Sequence, residues 1–160
     1  MNAKDILKYG QGTVMQTVEG FPVKEAEKPG ACGVWSVRDI IAHLASYELV
    51  LLDIANTFVE GSGIATPMLD SYVAPGGNFN DDEVHKRQGK SLQEALAELN
   101  ENYARVQAVV EKITPAQFQQ VGTLPWYGTA YSLDDLIVYM YYGHKREHSA
   151  QIAAFHDLVR

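Results

Sequence analysis

The chain has 160 residues, 46% hydrophobic and 21% charged, with a net charge of −7. This mixture suits one globular domain over residues 1–160 with a sizeable core, and it excludes a disordered or fibrous chain. The acidic balance, with no clustered Lys or Arg, argues against nucleic acid as a partner.

Cys32 is the sole cysteine, so no internal disulfide is possible and a reducing compartment fits. It lies in "KPGACGVW" without an adjacent base in sequence, where a small loop residue is the expected role. The opening "MNAKDILKYGQG" has no apolar core of signal-peptide length, and no apolar run approaches about 18–20 residues. A soluble cytoplasmic protein without a membrane partner is the expectation.

The first helix is predicted over Asn2 to Glu19, weakened by Gly10 and Gly12. A second helix starts at Ser36, which can cap it, with Asp39 near its positive end. Its apolar residues Val37, Ile40, Ile41, Leu44, Leu51, Leu52, Ala55, Phe58 and Val59 recur at helical period until Gly61 and Gly63. The stretch "GSGIATPMLDSYVAPGGNF" reads as a long loop, after which Asn80 can cap a short turn through "DDEVHKRQ".

Ser91 and Glu94 form a capping-box pattern. From there Leu92, Leu96, Leu99, Tyr103, Val106, Val110 and Ile113 make a narrow seam. Thr114 and Pro115 suit a short turn, and Ser132 opens a last helix running to about Leu158. No useful strand alternation occurs, so the reading is all-α, a four-helix bundle with two long connections.

The apolar face of the last helix is set by Leu133, Leu136, Ile137, Met140, Ile152 and Phe155. In "YYGHKREHSAQI", His144 and His148 fall four residues apart on that same face, while His156 falls off it. Two core-facing imidazoles need partners, either a metal or carboxylates and carbonyls. The second helix adds His43 at the edge of its apolar stripe and Glu48 near the middle. Three neutral imidazoles suit a divalent first-row ion and leave a coordination position open for chemistry. Glu48 fits a base or a partner orienting a ligand histidine, and fits equally a buried partner for an Arg, Tyr or His. His85, among charged neighbours, reads as solvated.

"WSVRDIIAHLASYE" (Trp35 to Glu48), followed about 100 residues later by "GHKREHSAQI" (Gly143 to Ile152), resembles the DinB-like superfamily, including its DfsB/ClbS-type branch. The resemblance implies an up-down-down-up four-helix bundle with a long crossover between helices two and three. It implies a divalent metal on His43, His144 and His148; imidazole ligation puts zinc first and leaves nickel or iron as alternatives. Glu48 matches an acidic position near such sites. The chain departs from the pattern at Lys145, where relatives often carry an aromatic, so the pocket rim is expected to differ; Lys145, Arg146 and Glu147 read as outer and flanking residues of their turn.

Relatives of this kind include transferases and isomerases that use low-molecular-weight thiols, as well as hydrolases and resistance proteins, and they are often dimeric. The resemblance therefore implies S-transferase chemistry on a small-molecule electrophile, with a homodimer as the candidate assembly. Tyr47, Tyr72, Trp126 and Tyr127 can line the pocket, or serve as packing and loop anchors. Metal-assisted hydrolysis, a non-catalytic metal-binding stress or resistance protein, and a plain bundle whose histidines bind no metal are the alternatives.

Overall fold

Local sequence fixes where the helices begin. In the computed structural model, which describes residues 2–160, α1 spans Ala3–Val18, with the Asn2 side chain accepting a hydrogen bond from the Asp5 amide. Helix α2 spans Val37–Glu60, and Ser36 and Asp39 close a reciprocal capping box at 3.0 and 3.1 Å. The same device opens α5 (Leu92–Val110) through Ser91 and Glu94, α6 (Pro115–Gln119) through Thr114 and Gln117, and α7 (Leu133–Leu136) through Ser132 and Asp135. Each such cap contributes about 1 kcal/mol by meeting amides that the helix leaves unpaired. Gly61, at φ 101°, ends α2 in the left-handed region open to glycine.

The crossover from α2 to α5 is more ordered than its Gly and Pro content suggests. It holds α3 (Pro67–Val73) and α4 (Phe79–Lys86). Thr66 gives α3 no side-chain cap; the Asp53 carboxylate of α2 accepts from the Met68 and Leu69 amides instead, at 2.7 and 3.1 Å. A tertiary contact therefore supplies what the local sequence lacks. Asn80 does not cap α4. It sits in the first turn, and its Oδ1 accepts a hydrogen bond from the Tyr47 hydroxyl at 3.0 Å.

The last long helix is continuous in its backbone but changes its winding. Between α7 and α8 (His144–Val159) lies a π-helical segment, Ile137–Gly143. A π turn holds more residues than an α turn. It therefore moves the inward-facing position one residue along. A uniform helical wheel assigns Met140 to the core, yet Met140 is half-buried and Tyr141 is 1% exposed. Lys145, expected on the outer or flanking side, is 2% exposed for the same reason. In α5 the buried stripe is Leu92, Ala95, Leu99, Asn102, Val106 and Val110, with Leu96 and Tyr103 at its margin.

No strand occurs among the described residues; one antiparallel bridge joins Cys32 and Trp35. Helix α2 packs along α5, and α1 packs along the π segment and α8. Helix α2 is long and apolar enough by composition to cross a membrane, but 72% of its most apolar window is buried inside the fold, as suits a core helix.

Two apolar clusters fill the interior. One contains Leu7, Val50, Ile54, Val106, Ile137 and Tyr141; the other contains Val14, Ile40, Leu44, Leu99, Ile152 and Phe155. In chain order α1 and the last helix run from the first cluster to the second, while α2 and α5 run from the second to the first. Between the clusters each long helix carries buried polar groups: Gln11 in α1, His43, Ser46 and Glu48 in α2, Asn102 in α5, and Lys145, His148 and Ser149 in α8. The functional candidates belong to this polar layer.

Candidate metal centre

His43 comes from the first third of α2, and His144 and His148 from adjacent turns of α8. Their facing ring nitrogens lie within 4.8 Å of one another. The His144 Nε2 is 2.9 Å from both the His43 Nε2 and the His148 Nε2. His43 and His148 are buried and His144 is partly exposed, so the cluster reaches the surface through one ring.

The far side of each ring decides what the near side can do. The His148 Nδ1 donates to the Gln151 Oε1 at 2.8 Å, because an amide oxygen only accepts. The His144 ring bonds the Met140 backbone. Neutral rings whose protons are held at Nδ1 turn their Nε2 lone pairs toward each other. Two lone pairs at 2.9 Å repel, and a shared cation resolves the conflict. Ions bound at about 2.0–2.1 Å separate tetrahedral ligand nitrogens by about 3.3 Å, so a small rearrangement of the three rings seats one. The Nδ1 of His43 is buried without a hydrogen-bond partner among the described residues.

The electrostatics favour ligation. Burial, then the facing His144 and His148, push His43 down from 6.5 to about 2. Burial, then His148 and Lys145, push His144 down to about 4. Burial also lowers His148, partly countered by Gln151 and Glu147. Each ring is therefore neutral at pH 7, the state that binds metal.

Aromatic rings enclose the cluster. Trp35 lies 4.8 Å and Tyr47 4.6 Å from the His43 ring, centroid to centroid, and Tyr47 lies 4.7 Å from His144. A groove of about 470 Å³ opens beside His144, lined by Tyr47, Tyr72, Tyr139, Met140, Gly143 and Glu147. Tyr47 and Tyr72 thus sit at the groove. Trp126 packs edge-to-face behind Tyr72 at 5.9 Å and Tyr127 packs tilted behind Trp126 at 5.8 Å, so these two back the wall without lining it. His85 is exposed, and His156 is half-buried against Phe21 at 4.9 Å.

Glu48 is engaged by a different partner. It is fully buried, forms an ion pair with the Lys145 ammonium, and makes no hydrogen bond to His43, His144 or His148 among the described residues. Lys145 also donates to the Gln11 Oε1 at 2.9 Å and lies 5.3 Å above the Tyr103 ring. Sequence reasoning missed Trp35, Gln151, Lys145 and Gln11. Gln151 was findable, since it follows His148 by three residues and shares its helix face. Lys145 was not, because its inward turn depends on the π segment.

The sequence profile of the DinB superfamily matches residues 6–152. A crystal structure of a structural-genomics protein from Streptococcus pneumoniae is similar in fold, with a TM-score of 0.75 and 14% identity, covering 99% of this chain and 90% of that one. A comparison with functionally curated proteins finds no match. With the profile spanning nearly the whole chain, including both histidine-bearing helices, this protein belongs to the DinB superfamily.

Proposed function

We propose that the protein is a divalent-metal-dependent enzyme that joins a low-molecular-weight thiol to a small electrophile. The observation that carries this reading is the convergence of three neutral imidazoles, two with Nε2 lone pairs left free by bonds on their far sides, which reach an open groove through His144. A bound divalent ion would supply Lewis acidity, lowering the pKa of a thiol or water in its open position. His43, His144 and His148 would hold it; zinc fits three nitrogens best, with nickel or iron as alternatives.

The groove indicates the partner's chemistry. Tyr47, Tyr72, Tyr139 and Met140 give it apolar and aromatic walls, and among the described residues Glu147 is its only carboxylate or cation besides the imidazole of His144. Such walls favour a flat, uncharged or cationic molecule and disfavour an anion. Trp126 and Tyr127 hold Tyr72 in place from behind. In group transfer the thiol sulfur forms a new bond to an electrophilic carbon, the leaving group departs with its electron pair, and the thiol proton passes to solvent. Glu48, sealed against Lys145, serves better as a buried support than as the base.

The order in which the long helices cross the two apolar clusters supports an up-down-down-up four-helix bundle, with α3 and α4 in the crossover. A homodimer in the cytoplasm completes the proposal.

Elemental analysis of tag-free protein tests the metal. One equivalent of a divalent ion is expected, lost in His43→Ala, His144→Ala and His148→Ala; unchanged metal content in all three would falsify the site. Calorimetric titration of the loaded protein with a panel of thiols tests the chemistry. Turnover of esters without thiol assigns the site to hydrolysis instead, and inactivity in both panels with stoichiometric metal assigns it to binding alone.

A further inference from the structure

Lys145 of α8 touches each of the other three long helices. Its ammonium pairs with Glu48 of α2, donates to Gln11 of α1 and lies over the Tyr103 ring of α5. Gln11 is itself held by α5, its Nε2 donating to the Asn100 Oδ1 at 2.8 Å. Lys145 and Glu48 are 2% and 0% exposed, and Gln11 is 5% exposed. A buried pair with few other partners costs several kcal/mol of desolvation per ion, which an apolar pair would avoid. Stability alone is therefore a poor reason for its presence.

Its position offers a better one. Lys145 directly follows His144 and precedes His148 by three residues, and Glu48 follows His43 by five on α2. The pair joins the two helices that carry the histidines. It also sits just after the π segment, Ile137–Gly143. Relaxing that segment to regular α-helix would turn α8 by roughly one residue, about 100°. Such a turn would carry His144 and His148 off the line to His43. Leu or Met in place of the pair would pack in several rotations, whereas an ammonium held by a carboxylate, an amide oxygen and a ring face has one.

We propose that Glu48 and Lys145 are positioning residues for the histidine centre: their buried ion pair, with Gln11 and Tyr103, fixes the rotation of α8 after the π turn so that His144 and His148 face His43. This inference rests on the metal reading of the three histidines and adds a role for the charges behind them.

The test uses the full chain and Co(II) alone as the probe, read by visible absorption. Wild type is titrated first; failure to bind Co(II) at all would count against the metal centre itself and leave no positioning role to assign. Glu48→Gln/Lys145→Met removes both charges at nearly constant volume, and Glu48→Leu/Lys145→Met provides a fully apolar second version. The expected result is a folded helical protein, by circular dichroism and thermal midpoint, that binds Co(II) 10–100-fold more weakly with altered ligand-field bands, the usual range for losing a supporting residue. A folded charge-free variant with wild-type affinity and spectrum overturns the proposal. So does failure of both variants to fold, since the pair would then be required for the fold itself.

Discussion

The polar layer holds two sets of ionisable groups, and they are satisfied in opposite ways. Glu48 and Lys145 are charged, fully enclosed and compensated by each other. His43, His144 and His148 are neutral, crowded and open to a groove through His144. The first set meets its charge within the chain, though neither Glu48 oxygen has a hydrogen-bond partner beyond that ion pair among the described residues. The second is incomplete, because rings bonded at their far sides face one another with lone pairs. A closed set orders the fold around it, and an open set is suited to take something from outside.

The largest effect that separates the two should come from breaking the closed set on one side only. Lys145→Met leaves the Glu48 carboxylate buried and alone. A loss of about 3–5 kcal/mol in urea unfolding is expected. A loss under about 1 kcal/mol would show that water reaches Glu48 and that the set is not closed.

The open set should show itself next, in acid. His43 and His144 titrate at about 2 and about 4 when folded, against 6.5 as the ordinary value. Between those limits the unfolded chain binds more protons than the native one. Stability is then full above pH 6.5 and falls as pH drops, by about 1.4 kcal/mol per unit for each histidine. Denaturant titrations of metal-free protein from pH 7 to 5.5 measure this slope. A flat profile would mean that the rings already share protons in the native state.

A smaller effect concerns how the open set is braced. Gln151→Ala removes the acceptor that holds the His148 proton at Nδ1. Co(II) affinity should fall by about 10–100-fold while the fold is retained. Equal affinity would indicate that the ring keeps its orientation by packing alone.

The smallest effect lies outside both sets and serves as a control. A Cβ at Gly12 of α1 meets nothing within 4 Å. Gly12→Ala should raise stability by up to about 1 kcal/mol through helix propensity, with Co(II) binding unchanged. A change in metal affinity would show that α1 is coupled to the centre more tightly than Gln11 alone provides.

The amino-acid sequence by itself determined the helical class, the starts of the long helices and the three histidines. Those features are written in local chemistry: Ser36 before Asp39, Ser91 before Glu94, and His144 one turn from His148 on an apolar face. Capping and periodicity act over four or five residues, so they are visible without a fold. Only the tertiary structure decided the winding of the last helix, the cap of α3 by Asp53, and the partner of Glu48. Each depends on groups distant in the chain. A wheel with a fixed 100° step cannot place Lys145 once the helix widens, because the extra residue of the π turn is set by how α1 and α2 grip that helix. Tyr141 shows the grip: its hydroxyl donates to the Tyr47 carbonyl at 3.0 Å, 94 residues away in sequence.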